Sequence, residues 1–161
     1  MQTAAEPVDE TARQALIDFG KNNAVVQARE ESIRDHLTRL NFALGEPDTT
    51  EILIRNLAFA QAVAVAERLY RLIFGSQISL LKSLNSGPLK TDTEMMEFYE
   101  RAKRKFRKFY GPYSYEDWRG FLLDQEVIVH DSQRDVYGIN RNGREFLAWI
   151  ASQGLSESKY G

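Results

Sequence analysis

One stretch near the end of the chain, VIVHDSQRDVYGINRNGREFLAWI, most restricts the folds open to this sequence. Two β-branched runs, Val127–His130 and Val136–Ile139, flank the polar five-residue loop 131–135. Short β-branched runs separated by a polar loop of this length predict an antiparallel β-hairpin. Asn140 then offers a side-chain oxygen to cap a helix whose apolar residues recur at helical spacing. The stretch therefore predicts a hairpin followed directly by a helix.

The chain before this hairpin carries helical rather than strand patterns. Ile33, Leu37, Leu40 and Leu44 follow one another at intervals of four, three and four residues, so they share one face of a helix. This spacing predicts a helix over 23–44 that ends at the Gly-Glu-Pro sequence behind it.

The most apolar helix is predicted next. The sequence DTTE at 48–51 resembles a capping box, in which side-chain oxygens satisfy free amides at a helix start, and it predicts a helix over 49–74. The centre of this helix, LAFAQAVAVAE, is apolar on nearly every side. A helix of that kind lies in the centre of a fold or is shared between two subunits. Arg55, Glu67 and Arg68 interrupt it, so we do not expect it to span a membrane.

Two more helices are predicted before the hairpin. One runs from Asp92 to Tyr110, and the next begins after Ser114, a good N-cap residue. The apolar residues spaced to face inward in the first of them are Met95, Phe98, Ala102, Phe106 and Phe109. With the short extended sequence at 89–90, the order from Ser76 is helix, strand, helix, helix, strand, loop, strand, helix.

That order is the order of a winged helix-turn-helix, and three segments resemble the MarR-type family of bacterial regulators. SQISLLKSLNSGPLK resembles the first helix and first strand of the family. FLLDQEVIV is similar to the end of its recognition helix and the start of its wing, with Glu126 where the family has Gly. VYGINRNGREFLAWI resembles the second wing strand and the helix beyond it. The resemblance covers about 76–150, and it implies a DNA-binding regulatory module.

Charge is distributed unevenly along the chain. The net charge of −2 and the pI near 5.8 do not favour nucleic acid for the protein as a whole. Six cations nevertheless lie within the eight residues from Arg101 to Lys108, enough to neutralise several phosphates. The alternative interpretation is the solvated face of an amphipathic helix. The candidate nucleic-acid-binding residues are Arg101, Lys103, Arg104, Lys105, Arg107 and Lys108, with Arg119 in the predicted recognition helix and Arg134 in the wing loop.

Two features count against a DNA-reading surface. The predicted recognition helix opens with Glu116 and Asp117, whose carboxylates repel phosphate. In the wing loop, Asp131 and Asp135 flank Arg134, so a turn salt bridge is the alternative to a DNA contact there.

Composition and motifs narrow the chemistry. The chain has no cysteine, which excludes disulfides and thiolate metal sites. Its two histidines, His36 and His130, fall short of the three or four ligands of a zinc site, and we interpret both as ordinary surface residues. No nucleophile elbow, P-loop or dinucleotide fingerprint occurs. The sequence therefore predicts no metal, no cofactor and no enzyme.

Together the patterns predict a mainly α protein of the α+β class. Residues 1–8 and 151–161 are expected to be flexible tails, 9–75 a helical region that serves as a dimerisation arm, and 76–150 a winged helix-turn-helix. The N-terminal sequence lacks a secretion signal, so we expect a cytoplasmic protein. The leading functional hypothesis is DNA binding in transcriptional control by a homodimer joined through its N-terminal helices. The alternative is a winged module for protein–protein contact.

Overall fold

The computed structural model describes residues 9–156 and residue 159, and this part of the chain is mainly helical. The elements in chain order are α1 (Glu10–Asp18), α2 (Ala24–Arg39), α3 (Pro47–Leu72), α4 (Gly75–Ser86), α5 (Asp92–Lys105), α6 (Arg107–Tyr110), α7 (Tyr115–Asp124), β1 (Ile128–Asp131), β2 (Val136–Ile139) and α8 (Arg141–Ser152). The predicted fold class, a mainly helical chain with a small β-hairpin wing near its end, is confirmed. The predicted flexible tail at 1–8 lies outside the described residues.

Contacts between Cα atoms divide the chain into two units, Met1–Ala58 and Phe59–Gly161. The division falls inside α3, whereas the sequence suggested a boundary at 75–76. The second half of α3 therefore belongs to the C-terminal unit.

The first unit contains α1, α2 and the start of α3. Among its described large apolar side chains, only Leu37 is buried. Helix α2 ends at Arg39, so the predicted end at 44 is wrong. The cause is Asn41, whose φ of 59° is left-handed and turns the chain, while the amide of Phe42 donates to the carbonyl of Leu37.

Helix α3 begins at Pro47, so the sequence 48–51 lies inside the helix rather than capping it, and that prediction is wrong. Proline suits the first position of a helix, because its φ is already helical and it has no amide to satisfy. Although α3 has 26 residues, no described helix is both long and apolar enough to cross a membrane.

The C-terminal unit carries the predicted hairpin. β1 and β2 pair antiparallel, with Ile128 opposite Ile139 and Asp131 opposite Val136. The backbone of Lys90 exchanges two hydrogen bonds with Tyr137, of 3.0 and 2.7 Å. The short extended segment before α5 thus adds to the edge of the hairpin.

The predicted helix over 92–110 is broken at Phe106, which adopts φ −125° and ψ 50°. The break separates α5 from the short α6 and changes which side chains face inward. Tyr110 is fully buried and Phe109 is 53% exposed, so the predicted inward position of Phe109 is wrong. Met95 and Ala102 are buried as predicted, and Tyr99 joins them.

A buried polar network holds α4 against α7. The indole of Trp118 donates to the hydroxyl oxygen of Ser76 at 3.0 Å, and that hydroxyl also pairs with the hydroxyl of Tyr110 at 2.5 Å. The side-chain amide of Gln77 donates to the carbonyl of Trp118 at 2.8 Å and accepts from the amide of Phe74. Because each polar side chain of this network has a partner, the network fixes one arrangement of these helices.

Helix α7 ends in a Schellman motif. The amide of Glu126 donates to the carbonyl of Leu123, and the amide of Val127 donates to the carbonyl of Leu122. Glu126 has a φ of 50°, in the left-handed region that favours glycine.

Candidate nucleic-acid interface

The six cations from Arg101 to Lys108 lie at the C-terminal end of α5 and on α6, and all six are exposed. Cations in the last turn of a helix stabilise it, because they lie near the negative end of the helix dipole. The position of five of them, all except Arg101, therefore has a structural reason independent of any ligand. We call this stretch, 101–108, the basic segment.

Most charges of the basic segment have no carboxylate partner. Lys103 lies 3.9 Å from the carboxylate of Glu100 and above the ring of Tyr99, at 5.2 Å. Within residues 9–156 and at 159, the other five cations form no ion pair. These five remain able to pair with an external anion such as a phosphate.

Aromatic rings lie beneath two of these cations. The guanidinium of Arg101 lies 5.9 Å from the ring centre of Phe98, and the ammonium of Lys105 lies 5.1 Å from that of Phe106. Such cation–π contacts hold long side chains against the surface and leave the charge in solvent.

Arg119 differs from the cations of the basic segment because it pairs with a carboxylate at close range. Its guanidinium donates to the carboxylate of Asp92 at 2.5 Å, and it lies above the rings of Tyr115 and Tyr137. The hydrogen bond to Asp92 raises the pKa of Arg119. These contacts hold the candidate residue Arg119 against the protein, where it joins α7 to the start of α5.

Tyr115 completes this junction. Its hydroxyl donates to the carboxylate of Asp92 at 2.8 Å and to the carbonyl of the same residue at 3.0 Å. Burial and the neighbouring carboxylate raise the pKa of Tyr115 well above its ordinary value. The phenol is therefore protonated and acts as a donor at neutral pH.

The exposed face of α7 is acidic. Glu116, Asp117 and Asp124 are all exposed, and Arg119 is the only cation in the helix. The hydroxyl of Ser114 donates to the carboxylate of Asp117 at 2.7 Å and accepts from its amide at 3.0 Å. The acidic start of the helix thus stabilises its N-terminus, which accounts for these residues without a ligand.

The wing loop carries both signs of charge. The side chain of Arg134 is 75% exposed and lies 3.9 Å from the carboxylate of Asp131, a long and solvated ion pair. His130 stacks on Tyr137 with ring centres 4.4 Å apart, and its Nε2 lies 3.0 Å from the carboxylate of Asp135. Arg134 is the cation of the loop that remains available to an external anion.

One cation near the candidate residues was not predicted from the sequence. Lys159 lines the same cavity as Arg101 and Lys105. Its ammonium donates to the carbonyl of Ile73 at 2.9 Å and to that of Tyr70. A lone lysine in the polar sequence SESKYG carries no periodic signal, so no sequence pattern indicates this contact.

The sequence matches no family model, and comparisons with curated proteins and with solved structures find no match.

Proposed function

We propose that this protein is a winged-helix DNA-binding protein that acts in transcriptional control. The basic segment supplies its main contacts to DNA, and those contacts go to backbone phosphates. Arg134 in the wing adds a further phosphate contact beside the hairpin.

The observation that carries the proposal is the set of exposed, unpaired cations in the basic segment. Five of its six cations have no carboxylate partner in the described part of the chain. A cation that neutralises a DNA phosphate releases a condensed counterion, which favours association at low salt. An acidic protein as a whole can therefore bind DNA through one local surface.

The contacts of α7 favour a protein that distinguishes one base sequence from another only weakly. Its exposed side chains include Glu116, Asp117 and Asp124, and Arg119 is engaged by Asp92. Phosphate contacts fix the position of a protein on the duplex, whereas base-edge contacts give sequence specificity. We therefore propose that affinity comes chiefly from the DNA backbone.

A second candidate function is protein–protein recognition, and the same face of α7 favours it. Its exposed carboxylates complement a basic partner, since opposite potentials across an interface steer association. In this alternative the winged module contacts a protein through α7, and the basic segment is a solvated helix end.

The N-terminal unit supports a homodimer in either case. Apart from Leu37, none of its described large apolar side chains is buried, so the described part of this unit lacks a core of its own. The large apolar side chains that it exposes are Leu16, Ile17, Phe19, Val25, Ile33, Leu40, Leu44, Ile54 and Leu57. Exposed apolar area on this scale marks an association surface, and we propose a second copy of the chain as its partner.

Fluorescence anisotropy with a labelled duplex tests the DNA proposal. Arg104→Glu with Lys108→Glu should weaken binding by about tenfold or more, because two phosphate contacts become repulsive. The matched control, Arg29→Glu with Arg34→Glu, changes the net charge equally at exposed positions of α2 and should leave the affinity nearly unchanged. If both pairs of substitutions weaken duplex binding equally, the effect comes from net charge alone. That result would contradict a binding role for the basic segment.

A further inference from the structure

A cavity of about 280 Å³ opens between the first turn of α4, the second half of α5 and Lys159. Arg101, Lys105 and Lys159 line it, and no carboxylate is among the described residues that do so. A cleft lined by charge of one sign concentrates ions of the opposite sign. The lining therefore selects for an anion.

Lys159 is the least solvated of the three cations. Two of the three N–H donors of its ammonium are used by the carbonyls of Tyr70 and Ile73, and the ring of Tyr70 lies 4.4 Å away. Burial lowers the pKa of Lys159, because the ammonium has lost water without gaining a carboxylate among the described residues. One donor and an uncompensated charge remain for a ligand.

Arg101 and Lys105 lie one helical turn apart on α5 and both line the cavity. Like charges at this spacing destabilise a helix, and a third cation beside them adds to the repulsion. Phe98 and Phe106 hold the two side chains through the cation–π contacts described above. An anion seated between the three cations would relieve the repulsion and accept charge-assisted hydrogen bonds.

We propose that this cavity binds a phosphate group, with Arg101, Lys105 and Lys159 as its donors. Three cations, two from α5 and the third at position 159, suit a group with several oxygens and more than one charge better than a planar carboxylate. The volume lies just below that of sites for drug-sized ligands, which suits a single group. The inference rests on the proposed function where the phosphate belongs to DNA, but a free phosphorylated molecule offers the same chemistry.

Pyrophosphate is the probe for the cavity itself. We would titrate it into the full-length ¹⁵N-labelled protein and follow the amides of Gly75, Ser76 and Lys159 by NMR. The expected result is saturable shifts, with affinity about tenfold lower in Lys159→Gln and in Arg101→Gln, since each removes a charged donor. Arg144→Gln, at a residue that lines a different cavity, is the control and should bind like wild type.

A duplex-binding experiment distinguishes the two sources of phosphate, DNA and a free phosphorylated molecule. If a DNA phosphate occupies the cavity, Lys159→Gln should reduce the salt dependence of duplex binding by about one phosphate contact. Suppose that pyrophosphate binding requires Lys159 but duplex binding is absent, or is unchanged in Lys159→Gln. The cavity then binds a free phosphorylated ligand. Absent duplex binding rejects only the proposed function. Two results together would overturn the inference. The first is that pyrophosphate does not shift the amide signals, or shifts them equally in wild type and in Lys159→Gln. The second is that Lys159→Gln keeps the wild-type salt dependence of duplex binding.

Discussion

The guanidinium of Arg119 lies 2.5 Å from the carboxylate of Asp92, and this ion pair joins the candidate recognition helix α7 to the first turn of α5. The hydroxyl of Tyr115 donates to the same carboxylate. A cation held in this way supports the orientation of α7 and has little freedom to reach a phosphate. We therefore expect Arg119 to position the helix.

Replacement of Arg119 should affect stability more than DNA binding. Arg119→Gln should lower the free energy of unfolding by about 1 kcal/mol, a modest value because both side chains of the ion pair keep some solvent contact. Arg134→Gln, at an exposed wing residue, is the control and should leave stability unchanged. Urea denaturation measures the first effect. An unchanged stability together with a weaker salt dependence of DNA binding would show that Arg119 contacts phosphate.

The tyrosines of the C-terminal unit make the protein sensitive to alkaline pH. Burial raises the pKa of Tyr110, Tyr113, Tyr115 and Tyr137 above the ordinary value of 10.0. A raised pKa means that the folded state holds these protons more tightly. The stability they contribute is complete below pH 10 and is lost as pH rises through their folded-state pKa values.

The measurement is the free energy of unfolding from about pH 8 to pH 11, a range that spans the ordinary tyrosine pKa. We expect a constant value to about pH 10 and a decline above it. Tyr115→Phe should reduce the decline, because it removes the phenol with the largest shift. A stability that stays level or rises above pH 10 would contradict the burial of these hydroxyls.

Two glycines should respond to alanine in opposite directions. A Cβ on Gly143 would lie 2.3 Å from the carbonyl oxygen of Val127, where α8 packs on the start of the wing. Because that oxygen is backbone, Gly143→Ala should destabilise the protein by about 2 kcal/mol or more. Gly120, within α7, has nothing within 4 Å of such a Cβ, so Gly120→Ala should stabilise by about 0.5–1 kcal/mol. Thermal unfolding followed by circular dichroism compares the two, and the same sign of change in both would be incompatible with this packing.

The N-terminal unit should join two copies of the chain. Ile33→Asp with Leu40→Asp places charge at two exposed apolar positions and should convert a dimer into a monomer in sedimentation velocity experiments. Ser32→Asp with Thr38→Asp adds the same charge at polar positions of α2 and serves as the control. A wild-type chain that sediments as a monomer at micromolar concentration would rule out the dimer.

Local signals in the sequence predicted much of the fold. Ser114 and Asn140 cap α7 and α8 as expected, because an N-cap acts on amides two or three residues away, and Thr91 caps α5 in the same way. The break at Phe106 was missed because neither Gly nor Pro marks it. That one error moved the buried aromatic residue from Phe109 to Tyr110.

The candidate site was less predictable, because its geometry depends on contacts between distant residues. The sequence identified the basic segment from composition alone. The pairing of Arg119 with Asp92 across 27 positions, and that of Lys159 with the carbonyl of Tyr70 across 89, leave no mark in sequence spacing. The sequence therefore indicates neither contact.

The salt dependence of duplex binding by the wild-type protein tests the central claim most directly. The measurement is the affinity for a labelled duplex from about 50 to 200 mM salt, where counterion release has a large effect. If the five unpaired cations of the basic segment contact phosphate, the logarithm of the binding constant should fall against the logarithm of salt with a slope of about −4.5. No saturable binding at about 50 mM salt, or an affinity that does not change across this range, would contradict the account.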